Sequence, residues 1–140
     1  MDDKTIRLLI EEAKKVLPHS YAPYSGVHVA AAVLTERGNI YRGVNVENSS
    51  YGLTICAERS AISAMVTAGE RRPVAIAIVT DMDEPIPPCG ACRQVLAEFN
   101  SEVEVVMHSV KTGKTVVANL RDLFPSPFKL GSTGSGEGVD

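Results

Sequence analysis

The chain has no run of lysines or arginines. Across 140 residues, 14 basic side chains face 17 acidic ones, and the net charge is −3. Proteins that track a polynucleotide carry a basic stripe, so that mode of binding is excluded and a small substrate is expected. The opening MDDKTIRLLIEE is acidic and periodic, with no continuous apolar segment. It reads neither as a signal peptide nor as a membrane span. Cysteine is scarce: there are three, an odd count, two of them close together. That excludes a disulfide framework and suits a reducing, cytoplasmic compartment and a metal or thiol site. There is no internal repeat and no second domain. One domain over residues 1–130 is expected, long enough for a sizeable core. A Gly- and Ser-rich, flexible tail is expected over 131–140.

Residues 4–17 carry Ile6, Leu9, Ile10, Ala13, Val16 and Leu17, the stripe of an amphipathic helix, with Pro18 as its stop. A loop over 18–26 leads to strands at 27–35 and 40–46, joined as a hairpin by Glu36-Arg37-Gly38-Asn39. A polar loop over 47–55 precedes a helix from Cys56 to Ala68. That helix is apolar on two sides, as for burial against a core and against a second subunit. Pro73 to Thr80 is a continuous apolar run, as expected of a central strand covered on both faces. After a loop with three prolines, a helix runs from Cys89 to Asn100. Strands follow at 103–109 and 115–118, and one helical turn at 120–124. The alternation predicts an α/β fold: a three-layer αβα sandwich around a mixed five-stranded sheet.

All three cysteines sit at predicted helix starts, in Cys56-Ala57-Glu58 and Pro88-Cys89-Gly90-Ala91-Cys92. Cys89 and Cys92 are three apart on one helical face and can form two arms of a zinc tetrahedron. Cys56 supplies a third from the other helix. Helix N-termini carry positive potential and free N–H groups, which favour thiolate over thiol. Three thiolates on Zn²⁺ leave a net charge near −1, which weakens the metal as a Lewis acid. Arg59 and Arg93, each beside a ligand, can offset that charge by donating to sulfur. His19, His28 and His108 lack zinc-finger spacing to the cysteines, so the fourth position is expected to stay open to water. Glu58, two residues past Cys56, is placed to carry a proton between that water and a substrate nitrogen. Buried free thiols, or a structural zinc site completed by a remote histidine, are the plainer readings of the same cysteines.

Cys-Ala-Glu followed by Pro-Cys-x-x-Cys resembles the Cys₃ form of the zinc nucleoside and nucleobase deaminase signature. The resemblance covers residues 5–128 and is nearest to the small, homotetrameric cytidine deaminases. APYS (22–25), YRGVNVENSSY (41–51) and Leu-Phe-Pro-x-x-Phe (123–128) belong to it. It implies one zinc per subunit on Cys56, Cys89 and Cys92, with Glu58 as proton shuttle. It implies Asn45 and Glu47 as ribose readers and backbone contacts from Ala57 to the base. Tyr51 and Phe128 match positions that help build a neighbouring subunit's site. The family usually has Phe where this chain has Val27, which removes a stacking face beside the nucleoside. His28 and Ala30 replace a Pro and a Gly nearby, and His28 reads as a strand residue rather than a ligand. The implied activity is hydrolytic deamination of cytidine and 2′-deoxycytidine in pyrimidine salvage. Two alternatives stay open: a deaminase of a modified cytosine nucleoside such as blasticidin S, and a zinc-stapled binding module.

Overall fold

The computed structural model describes residues 1–130; the expected tail at 131–140 lies outside the described residues. The elements run α1 (Asp3–Val16), β1 (Val29–Thr35), β2 (Ile40–Val44), α2 (Ala57–Thr67), β3 (Pro73–Thr80), α3 (Gly90–Phe99), β4 (Glu104–Ser109), β5 (Thr115–Asn119) and α4 (Leu120–Leu123). The five strands form one sheet in the order β2-β1-β3-β4-β5. Only β3 and β4 are parallel; every other neighbouring pair is antiparallel. The mixed sheet with helices on both faces is the expected three-layer α/β architecture.

Side-chain size differs between the two faces. Ala30, Ala32, Ala75, Ala77, Val79 and Val106 pack with Leu9, Ile10 and Ala13 of α1. Val29, Val33, Ile76, Ile78, Val105 and Met107 pack with Ala57, Ala61, Ile62 and Met65 of α2 and Leu96 of α3. The alternation along each strand places small residues under α1 and larger ones under α2 and α3. β3 is central and buried along almost its whole length, as its unbroken apolar run requires. No helix of the described residues is long and apolar enough to cross a membrane.

Boundaries differ from the sequence reading at the helix starts. α1 begins at Asp3 because Asp2 caps it, its Oδ1 accepting from the Thr5 amide at 2.8 Å. Pro18 does not simply stop the chain; it sits in a short 3₁₀ turn, Leu17–His19. Cys56 and Cys89 stand just outside their helices as N-caps in extended backbone conformation. β2 ends two residues earlier than expected, and Val46 instead bridges to Tyr21 and Ile55.

α2 lies directly on β2 at Gly43. A Cβ there would stand 2.4 Å from the Ala61 nitrogen, 2.7 Å from the Ser60 Cβ and 2.8 Å from the Ala57 carbonyl oxygen. Only a glycine permits that approach, and it sets the height of the α2 N-terminus above the sheet.

Candidate functional site

Each sulfur is placed by a helix start. Cys56 and Cys89 take extended backbone angles, while their carbonyls accept the first helical bonds, from Ser60 at 3.1 Å and Arg93 at 2.9 Å. Cys92 lies in the first turn of α3 and is buried. The Cys56 and Cys89 sulfurs are 3.7 Å apart, and those of Cys89 and Cys92 are 3.4 Å apart. All three Sγ atoms lie within 4.8 Å of one another, and no fourth His, Cys, Asp or Glu joins them among the described residues. Zinc–sulfur bonds of about 2.3 Å in a tetrahedron put neighbouring sulfurs about 3.8 Å apart, so the spacing fits.

The protonation chemistry points the same way. The hydrogen bond from Cys92, with Arg59 adding, draws the Cys56 thiol down to about 5. Cys92 is pushed far upward, first by its bond to Cys56 and then by burial and the nearby Glu58. So close a trio holds negative charge on one sulfur unless a cation neutralises the rest. A thiolate-binding divalent metal matches this donor set.

Glu58, in the first turn of α2, is 5% exposed. Burial raises its pKa above the usual carboxylate range, and the negative charge of Cys56 adds to the effect. It lines a cavity of about 170 Å³ together with Val29, Asn45, Thr54, Ile55, Cys56, Ala57, Ile86, Pro87 and Cys89. Two sulfurs, a carboxyl group able to hold a proton and an amide therefore share one largely apolar chamber.

The two arginines separate. Arg59 donates from Nη2 to the Cys56 sulfur at 3.7 Å and to the Thr54 carbonyl at 3.2 Å. Arg93 does not turn to sulfur as expected. Its Nε donates to the Pro88 carbonyl at 2.8 Å and its Nη1 to the Leu123 carbonyl at 2.7 Å. Both carbonyls lie close enough to form nearly ideal bonds, so Arg93 ties the loop before Cys89 to the C-terminal segment.

Asn45 and Glu47 both turn toward the segment 20–29. Asn45 Oδ1 accepts from the Val29 amide at 3.0 Å and from the Ser20 hydroxyl, and its Nδ2 donates to the Val27 carbonyl at 2.8 Å. Glu47 accepts from the amides of Tyr24 and Ser25 at 3.0 and 3.1 Å, and from the Ser25 hydroxyl. Asn45 and Ala57 line the cavity, whereas Glu47, Val27, Tyr51 and Phe128 do not. The Val27 side chain is partly buried and packs against the core on the α2 and α3 side of the sheet. Tyr51 is 79% and Phe128 57% exposed. His28 precedes β1, and its ring bonds Ser20. The apolar walls Val29, Ile55, Ile86 and Pro87 were not singled out from the sequence. Ile86 and Pro87 lie in the Pro-rich approach to Cys89, which says nothing about which face it shows, and Val29 and Ile55 carry no such signal.

Comparison with known proteins adds four findings. Residues 3–109 match the family model described as the cytidine and deoxycytidylate deaminase zinc-binding region. The chain is 43% identical over 123 residues to a cytidine deaminase of Halalkalibacterium halodurans, covering 87% of this chain and 92% of that one. It superimposes on the crystal structure of cytidine deaminase from Burkholderia pseudomallei with a TM-score of 0.84 at 44% identity, over 91% of this chain and all (100%) of that one. For the enzyme from Mycobacterium tuberculosis the TM-score is 0.78 at 38% identity, over 93% and 100% of the two chains.

Proposed function

The chain belongs to the family of zinc-binding cytidine and deoxycytidylate deaminases, and from that premise we propose that it hydrolyses the exocyclic amine of cytidine and 2′-deoxycytidine. The products are uridine or 2′-deoxyuridine and ammonia. One observation carries this reading: of three mutually close sulfurs, those of Cys56 and Cys89 line the same small cavity as a buried, proton-holding Glu58.

Cys56, Cys89 and Cys92 hold the metal. When bound there, zinc supplies the Lewis acidity that lets water act as a nucleophile near neutral pH. The N-termini of α2 and α3 and the Arg59 guanidinium offset the excess thiolate charge. Glu58 accepts the proton of the attacking water, delivers it to ring N3, and then assists departure of ammonia from C4. Its raised affinity for a proton suits a group that takes up a proton and hands it on. Val29, Ile55, Ile86 and Pro87 exclude bulk water from the exchange. At about 170 Å³ the chamber is smaller than the roughly 300–1,000 Å³ of drug-sized pockets, which suits an enclosed base with its sugar at the mouth. Asn45 and Glu47 are the sugar-side residues, and the Ala57 backbone meets the base.

The same reading gives a homotetramer with shared sites. Tyr51, Leu53 and Phe128 are exposed apolar groups of the kind that subunit interfaces cover. A cytoplasmic setting and a role in pyrimidine salvage accompany it, since three free sulfurs need reducing conditions. The catalytic unit is the segment 1–130.

The test is a substrate panel on zinc-loaded protein, followed by ultraviolet absorbance and ammonia release. Cytidine and 2′-deoxycytidine should be turned over. Turnover of blasticidin S alone would move the assignment to a modified cytosine nucleoside. No ammonia from any nucleoside would leave a zinc-stapled binding module.

A further inference from the structure

Asn45 is only 9% exposed, so its amide groups must be satisfied by protein or by ligand. Two backbone groups of fixed sense decide which end of the amide is oxygen. The Val29 N–H can only donate, and it meets Oδ1 at 3.0 Å; the Val27 carbonyl can only accept, and it meets Nδ2 at 2.8 Å. The Ser20 hydroxyl also meets Oδ1. An amide oxygen has no hydrogen to give, so Ser20 must donate its single hydrogen there. The same Ser20 oxygen lies 3.0 Å from His28 Nδ1. With its hydrogen committed, Ser20 can only accept, so the proton between them belongs to Nδ1. The donors therefore run in one direction, from His28 to Ser20 to Asn45.

This relay fills both acceptor sites of Oδ1. One of the two Nδ2 hydrogens is taken by Val27, and the other has no partner among the described residues. Asn45 lines the cavity and is left with one hydrogen to give and nothing to accept with. We propose that Ser20 and His28 are positioning residues that fix Asn45 as a pure hydrogen-bond donor, so that it reads a 2′- or 3′-hydroxyl oxygen of the substrate's sugar as acceptor. The assignment rests on the nucleoside reading above and adds two residues and a direction to it. The His28 backbone is pinned independently, its amide to Asp81 at 3.2 Å and its carbonyl by the Thr80 hydroxyl at 3.1 Å, so the ring has a firm base.

Steady-state kinetics on cytidine and on 2′,3′-dideoxycytidine test the relay. Ser20→Ala should raise KM for cytidine about 3- to 10-fold, the worth of one hydrogen bond, with kcat little changed. The dideoxy substrate lacks the hydroxyls to be read, so its KM should not follow. His28→Leu should shift KM in the same sense, and His28→Asn, which keeps an N–H near the place of Nδ1, should restore most of the loss. An equal rise for both substrates would mark Ser20 as merely structural and overturn the proposal, as would no rise at all. Long-range ¹H–¹⁵N spectra of the wild-type imidazole provide a check that needs no activity. A protonated Nδ1 on neutral His28 supports the relay, and the Nε2–H tautomer overturns it. Wild-type protein inactive on cytidine would sink the deaminase reading, while the tautomer would still decide the relay.

Discussion

Replacing Gly43 by alanine should damage the site from a distance. The added Cβ would stand 2.4 Å from the Ala61 nitrogen, 2.7 Å from the Ser60 Cβ and 2.8 Å from the Ala57 oxygen. Relaxed heavy-atom contacts are about 3.5–4.0 Å, so α2 must retreat from β2 by about 1 Å. Two of the three obstacles are backbone atoms of the first two turns of α2, so no rotamer change relieves the clash. Overpacking of this kind costs about 1–3 kcal/mol, which lowers the melting temperature by roughly 3–10 °C for a domain of this size. Cys56 and Glu58 ride on the displaced end, whereas Cys89 and Cys92 sit on α3. A misplacement of about 1 Å between reacting groups costs about 100-fold in rate. The expected outcome is a folded, less stable protein with weakened zinc retention and kcat/KM down about 100-fold. Scanning calorimetry, zinc analysis and initial rates read the three effects. Wild-type stability together with wild-type turnover would refute the idea that this contact sets the position of the site.

Arg59→Gln should keep its zinc while kcat falls about tenfold, because a charged donor to the Cys56 sulfur is lost; unchanged turnover would remove Arg59 from the account. Glu70 gives a pH prediction. Its carboxylate is held below the usual range by the hydroxyls of Thr35 and Tyr41 and by Asn39, with Tyr41 Oη at 2.6 Å and Asn39 Nδ2 at 2.7 Å. A lowered folded pKa stabilises the protein above the ordinary carboxylate pKa of about 4.3, and that stability disappears as pH falls through the lower folded value. Glu70→Gln should therefore melt earlier than wild type at pH 7, with the gap closing in acid; a gap that stays constant with pH would contradict this.

The element order was legible because hydrophobic period is set by local geometry. The 3.6-residue stripe of α1 and the unbroken apolar run of β3 could hardly fold otherwise. The meeting of the cysteines was legible because thiolates at helix starts have few other uses beside a following Glu. What stayed hidden depended on contacts between distant segments. Nothing in Arg93 itself says that the Leu123 carbonyl, 30 residues on, will capture its guanidinium. Nothing in Ser20, a loop serine, announces that it will fix an amide 25 residues away. Gly43 looks like any strand glycine until α2 is laid across it. The expected strand pairing of Val46 with β1 gave way to its bridges with Tyr21 and Ile55, segments whose approach no local pattern announces.

The most direct measurement is zinc content and cytidine turnover determined on the same preparations of wild-type and Glu58→Ala protein. Both should carry about one zinc per chain, and only the wild type should release ammonia. Near-normal turnover without the carboxylate, or wild-type turnover with no zinc bound, would contradict a three-sulfur metal centre served by Glu58.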